Sequence, residues 1–323
     1  MKKPLLRSLV CLAVAMGSGI TVHAADWPDR PITIIVPAAA GGSPDIISRL
    51  LGNALAQRLG QPVVVDNKPG AGGNIGMQAL AKSAPDGYTM AYGNNATLAT
   101  NQFLFKSIPY QPEQLVPVVA LVSTHSLLVV SPKLPVNSVQ ELVDYAKQNP
   151  GKLSFASGGN GTSGHLGAEM FKLQSGMDAL HVPYRGAPQA INDVAAGNAD
   201  LLIDNIASVG PMAQSQRVKA LAVTAKTRLP QFPDLPSVAE AGLPNFEVRA
   251  WGGFVMPAGV PAQAVQRINQ EMNAVLADPQ IKEQLDKMAF KPLGGEPAAF
   301  AGLLSSERGI WKGIVQASGA KVE

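Results

Sequence analysis

At 323 residues, 46% of them hydrophobic and 15% charged, the chain can bury a sizeable core in one large domain or two ordinary ones. Aromatics are only 5% and no basic stripe with interleaved aromatics occurs, so the usual nucleic-acid-binding designs are excluded. Cys11 is the single cysteine, and it falls in a leader; the mature chain therefore has no disulfide, thiol nucleophile or thiolate metal ligand.

That leader is residues 1–24, which have the pattern of a cleavable secretory signal peptide. Lys2, Lys3 and Arg7 form a basic n-region, Leu9 to Val22 an apolar stretch, and Val22-His23-Ala24 a small-residue cleavage site. Leu9-Val10 before Cys11 do not make a lipoprotein box. No stretch is long enough to span a bilayer, so the mature protein is expected to be soluble and exported. The leader removes three basic residues and no acid, leaving 23 of each sign and no formal net charge.

The first predicted unit organises the rest. Ile32 to Val36 reads as a buried strand, broken by Gly41-Gly42. Ser43 offers an N-cap, Pro44 fits the first helical position, and Asp45 complements the positive helix end. Ile46, Ile47, Leu50, Leu51, Ala54, Leu55 and Leu59 then keep helical spacing up to Gly60. A strand, a glycine loop and a helix N-terminus make a cradle of unpaired N–H groups suited to an anion. Strand 62–67, loop 68–73, helix 74–82, strand 88–92, loop 93–97 and a short helix continue a β-α-β-α-β-α order. That order predicts a parallel sheet with helices on both faces and ligands beyond the strand carboxyl ends.

The run 115–122, broken near Ser123-Thr124-His125 and resumed at 127–130, reads as a strand crossing into a second domain. There the logic repeats: helix 139–148, strand 153–156, glycine loop 157–164, helix 165–173, strand 179–183, loop 184–188, helix 189–196, strand 199–204. Residues 218–224 read as the return crossing. The tail has one good strand, 249–256, with helices 262–277, 280–288 and 298–317, and is expected to complete the first sheet. The expected division is a first lobe of 25–123 plus 226–323 and a second of 124–225, with two connections forming a hinge over a cleft.

Enzymatic readings find little support. Gly159-Asn160-Gly161-Thr162-Ser163-Gly164 fits a dinucleotide fingerprint, but the following strand ends without a ribose-binding acid, and no Walker loop occurs. Ser163 and His165 do not stand in a nucleophile-elbow pattern. His125, His165 and His181 show no metal-ligand spacing. Arg185 either pairs a ligand carboxylate or rims the cleft. Two matched cradles facing each other would clasp a small anion through backbone N–H groups and the Ser43, Thr97, Thr162 and Ser163 hydroxyls. Four or five hydrogen bonds to a charged group gross on the order of 8–12 kcal/mol before association costs, which reaches micromolar affinity.

Several blocks carry a family resemblance: Trp27-Pro28-Asp29-Arg30-Pro31, Gly41-Gly42-Ser43-Pro44-Asp45, the run from Gln61 to Gly76, and Pro85-Asp86-Gly87-Tyr88-Thr89. Gly161 to His165, His181-Val182-Pro183-Tyr184-Arg185-Gly186, Ala220 to Thr224 and Pro236 to Gly242 continue it over essentially the whole mature chain. Together they resemble the Bug family, the extracytoplasmic solute receptors of tripartite tricarboxylate transporters. The resemblance implies a periplasmic-binding-protein-like Venus flytrap, α/β, with mainly parallel sheets in two lobes joined by a two-strand hinge. It implies a periplasmic monomer without catalysis or cofactor, binding a carboxylate, amino acid or aromatic acid and delivering it to integral-membrane permease subunits. By position the implied contacts are Ala39, Ala40, Gly41, Gly42, Ser43, Asp45, Ala71, Thr97, Gly161, Thr162, Ser163 and Asp204. Family members often carry a bulkier apolar residue and a threonine where this chain has Ala38 and Pro44. Pro44 removes one possible N–H donor, which bears on the ligand rather than the fold. A sensory receptor signalling to a membrane kinase would share this fold and ligand chemistry; a hydrolase or oxidoreductase lacks its base, thiol, metal set and ribose acid here.

Overall fold

The computed structural model describes residues 27–318, so the expected leader lies outside the described residues. β1 (Ile32–Val36), α1 (Ser43–Leu59), β2 (Val63–Asn67), α2 (Asn74–Ala81) and β3 (Thr89–Asn94) follow the expected alternation, with β1 parallel to both β2 and β3. A π-helical turn, Asn95–Thr100, runs into the short α3 (Asn101–Leu104). β4 (Val116–Val130) is one 15-residue strand. After it come α4 (Val139–Gln148), β5 (Ser154–Ser157), α5 (Ser163–Ser175), β6 (Leu180–Pro183), α6 (Ala187–Ala196), β7 (Leu201–Asn205), α7 (Ile206–Gln214) and β8 (Lys219–Val223). β9 (Arg249–Met256), α8 (Ala262–Ala277), α9 (Pro279–Lys287), β10 (Phe290–Gly294) and α10 (Pro297–Ser318) complete the chain.

The strands form two sheets that share β4. Its first half pairs with β9 and β10, and the order there is β2-β1-β3-β9-β4-β10. Its second half pairs with β7 and β8, giving β8-β4-β7-β5-β6. The sheets are mixed: β2-β1-β3 and β7-β5-β6 run parallel, as expected of βαβ units, while β3 to β9 and every pairing to β4 are antiparallel. Helices cover both faces of each. On the first sheet Ile47, Leu51 and Leu55 of α1 are fully buried against β1 and β3, each burial contributing about 1.5–3 kcal/mol. On the second, α4 and α5 pack one face while α6 and α7 pack the other.

The polar interruption in the hinge strand does not break it. Ser126 and Thr224, both fully buried, bond each other across the hinge. Ser126 N–H donates to Thr224 Oγ1 at 2.8 Å, Thr224 N–H returns to Ser126 O at 2.9 Å, and Thr224 Oγ1 donates to Val248 O at 2.8 Å. Thr124 Oγ1 donates to Ala289 O at 2.8 Å. The polar residues thus satisfy backbone groups where two chain crossings run side by side.

Two expectations change. Residues 226–248, assigned from sequence to the first lobe, bury Val238, Phe246 and Val248 with Leu128, Phe155 and Ile203 of the second sheet. The second crossing therefore runs from Val248 into β9 rather than through 218–224. β10 lies in the stretch between the two last expected helices, where no strand is expected; as an edge strand paired only to β4, it tolerates Pro292 and Gly294.

Candidate functional site

A cavity of about 410 Å³ lies between the two sheets. Pro37, Asn94, Gly158, Pro183 and Asp204, at or just past the carboxyl ends of β1, β3, β5, β6 and β7, all reach it. The first turns of α1, α5, α6 and α7 line it through Ser43, Ser163, Ala187 and Ser208, and the π-helical turn does so through Asn95. Helix N-termini carry positive partial charge, so at least four of them aimed into one hollow favour an anion. The charged side chains lining it are Arg185 and Asp204.

Contacts between the two halves close this hollow. Ser43 N–H on α1 donates to Ser208 Oγ on α7 at 2.8 Å. A Cβ added at Gly186 would lie 2.5 Å from Ala39 Cβ, and one added at Gly72 would lie 2.6 Å from Asn160 O. Glycine at these positions lets opposing backbones touch.

The first cradle differs from expectation in where its amides go. Gly42, not Ser43, is the N-cap of α1, and it makes no side-chain cap bond. Gly41 N–H donates to Asp45 Oδ2 at 2.9 Å, Gly42 N–H to Ala39 O at 3.3 Å, and Asp45 N–H to Gly42 O at 2.9 Å. With Ser43 N–H on Ser208 and no N–H at Pro44, these loop donors are taken up within the protein itself. Asp45 is buried away from the cavity, with Arg49 Nε at 2.9 Å from Oδ1. Burial pushes its pKa up, but the bonds from Arg49, Gly41 and Asn67 outweigh this and hold it below the ordinary carboxylate range. Asp45 organises the loop.

Of the twelve expected contacts, Ala39, Gly42, Ser43, Ala71, Thr162, Ser163 and Asp204 line the cavity. Ala40 and Gly41 are exposed outside its lining. Thr97 is buried beneath it, receiving Asn94 N–H on Oγ1 at 3.1 Å while its own N–H donates to Asn94 Oδ1 at 3.2 Å, so it fixes Asn94. Gly161 N–H donates to His165 Nδ1 at 3.1 Å and supports the second loop from behind. Thr162 caps α5, its hydroxyl accepting His165 N–H at 3.2 Å and donating to Gly159 O at 2.8 Å. Ser163 and Gly164, on the first turn of α5 where amides have no partner within the helix, line the hollow.

Behind that loop, His165 stacks on His181 with ring centroids 4.1 Å apart, and His181 stacks on Phe155 at 4.6 Å. His181 Nε2 lies 2.7 Å from Ser157 Oγ. Burial, reinforced by Lys172, pushes both histidine pKa values down, to about 3 for His165 and about 4 for His181; His181 itself adds to the effect on His165. These neutral rings brace the second cradle. They offer Ser163 no base, and the described residues contain no cluster of metal-binding side chains.

Three parts of the site were not read from sequence as ligand-facing. Gly186-Ala187-Pro188 repeats the Gly-x-Pro start of α1 and so marks another helix N-terminus, a signal that was available. Asn95 accepts Trp251 N–H at 2.8 Å on the cavity floor. Ser208 follows β7 with no loop between strand and helix, and nothing local marks it. Changing Ser208 to alanine is expected to weaken ligand binding about tenfold, because closure loses one hydrogen bond; calorimetric titration measures this.

The comparisons with known proteins agree with this geometry. The model of the tripartite tricarboxylate transporter family receptor matches residues 47–320. The chain belongs to that family. It is similar to Rpa4515 of R. palustris, whose structure contains adipate: 34% identical, TM-score 0.90, covering 92% of this chain and 100% of that one. It is similar to the periplasmic binding protein BugD at 33% identity and TM-score 0.88, again over 92% and 100%. MatC of Rhodopseudomonas palustris, with bound malate, is 30% identical with TM-score 0.85, over 90% of this chain and 100% of that one. This Bug-type receptor has the two-lobed α/β periplasmic-binding-protein fold, and it is a solute-binding protein rather than an enzyme.

Proposed function

We propose that this receptor works in the periplasm, captures a small organic acid between its lobes, and delivers it to the integral-membrane subunits of a tripartite tricarboxylate transporter. The observation that carries the reading is the hollow of about 410 Å³ into which the N-termini of α1, α5, α6 and α7 converge. A carboxylate there is stabilised by fixed dipoles with no buried cation. Two family structures hold dicarboxylic acids, adipate and malate, which supports the class. The packing supports lobes of 27–125 with 249–318, and of 126–248, moving about the Ser126–Thr224 knot. A signal peptide at 1–24 supplies export.

Thermal shift with adipate, malate, L-aspartate and benzoate tests the ligand class. At a hundredfold excess over Kd, a true ligand adds about 2.7 kcal/mol of stability. For a chain of this size that raises Tm by about 5 °C. At least one plain organic acid is expected to do this. No shift from any of the four at millimolar concentration would overturn the reading.

A further inference from the structure

Asp204 is the anomaly of the site, an acid placed where helix N-termini call for an anion. It lies at the carboxyl end of β7, paired in register with Leu127 of the hinge strand. The first turn of α5 sits on it: a Cβ at Gly164 would come 3.6 Å from Asp204 Oδ2. Asn205 N–H donates to Oδ1 at 2.8 Å, and the Ser208 hydroxyl lies near enough to favour the ionised form. Ser208 Oγ in turn receives Ser43 N–H from the opposite lobe, so Asp204 sits beside the contact that joins the two halves.

Every other charged or titratable group on the elements packed around it is separately accounted for. On α5, His165 accepts Gly161 N–H, while Lys172 lies 3.3 Å from Glu169. On α6, Asp193 accepts from Tyr184 Oη at 2.6 Å, and on β4, His125 lies 3.2 Å from Glu247. Across the cleft, Asp45 is paired to Arg49 at 2.9 Å. β5 and α7 carry no titratable side chain, and Arg185 lines the cavity from the loop before α6. Burial therefore governs Asp204 and pushes its pKa up to about 7, against the opposing pull of Asn205 and Ser208.

Resting on the organic-acid reading above, we infer that Asp204 enters the complex protonated and donates its own O–H to the bound acid's carboxylate, so that each capture takes up one proton. Two ionised carboxylates brought together in a largely enclosed hollow repel each other, whereas a neutral acid is a hydrogen-bond donor to an anion. The proton comes from solvent and stays on Asp204 until release. The device also selects between ligand classes. A plain carboxylic acid gains a donor, while the ammonium of an α-amino acid would meet a neutral Asp204 carboxyl and find no anion there to pair with. Asp204 is thus a specificity residue for acids without an amino group.

Calorimetric titration of adipate from pH 6 to 9, in buffers of different ionisation enthalpy, tests this on the mature protein and on Asp204→Asn. In the native protein, Kd for adipate is expected to rise about tenfold per pH unit above pH 7, with uptake approaching one proton per adipate at pH 8. Asp204→Asn, whatever its absolute affinity, is expected to show a flat profile. Carbon-13 carboxyl NMR of the native protein guards against a misfolded variant: Asp204 should titrate near 7 when free and stay protonated past pH 8 with adipate. Titration of free Asp204 in the ordinary carboxylate range would overturn the inference. So would adipate binding without proton uptake, which leaves the organic-acid reading standing, or L-aspartate binding with proton release. Absence of adipate binding at pH 6 in both proteins would overturn the inference along with the ligand class tested.

Discussion

Replacing Gly186 with valine is expected to weaken adipate binding about a hundredfold while leaving the Tm of the ligand-free protein within about 1 °C. Gly186 caps α6 with φ of 173°, an extended conformation open to any residue, so the change brings no backbone strain to the second lobe. Its side chain would instead strike Ala39 of the first lobe, where even a Cβ sits 2.5 Å away. The clash exists only when the lobes meet. A receptor held open keeps both cores and loses the ligand contacts made by one wall. Two hydrogen bonds to a carboxylate, at about 1.5–3 kcal/mol each, account for a hundredfold. Calorimetric titration and thermal melting together separate closure from folding; equal loss in both would show that Gly186 serves the fold instead.

The second large effect is acid lability arising from the stacked histidines. His165 and His181 have folded pKa values pushed below the ordinary value of 6.5, by burial first, then by His181 and Lys172 for His165 and by Lys172 for His181. The fold therefore holds them neutral, while the unfolded chain takes up protons as pH falls through 6.5. Their contribution to stability is complete above about pH 6.5 and declines as pH falls toward 4 for His181 and 3 for His165. Each ring contributes about 1.4 kcal/mol per pH unit within its window, less what solvent screens at the half-buried His181. His181→Phe keeps an aromatic in the stack and removes one titrating group. Urea unfolding at pH 7.5 and 5.0 should show the native protein losing about 2 kcal/mol more than this variant. Equal losses would mean that the rings are not held neutral. Because His165 stays neutral in the folded protein down to about pH 3, its Nδ1 keeps Gly161 N–H, and the second cradle is expected to hold its form while the fold as a whole weakens in acid.

The sequence made the helices and their ends legible because their determinants are local. Gly60 and Gly197 close α1 and α6 in left-handed conformation at φ of 68° and 75°, where glycine is favoured. The two glycine loops and the hollow between them were legible for the same reason. What local pattern does not contain is the fate of each N–H. Ser43 N–H is unpaired within its own helix, and only its partner 165 residues away removes it from the donors free for a ligand. Asp45 likewise has the residue type of a binding acid, and its engagement with Gly41 and Arg49 turns it into loop support. Residues 226–248 contain no regular helix or strand, so periodicity had nothing to report; Val238, Phe246 and Val248 join the second lobe by long-range packing alone. The neutral histidine brace and the buried Asp204 owe their electrostatics to burial, which spacing cannot reveal.

Delivery to a membrane partner requires a receptor whose surface differs between loaded and empty states. The interlobe contacts at Gly186, Ser208 and Gly72 would supply such a difference, because parting the lobes would break them. A crystal structure of the protein grown with adipate tests the central claim most directly. The expected result is one acid enclosed between the lobes, its carboxylate on the Ser163 and Gly164 amides and beside Asp204, with Ser43 on Ser208. An acid held by a single lobe, or lodged outside the hollow with the cleft open, would contradict the account.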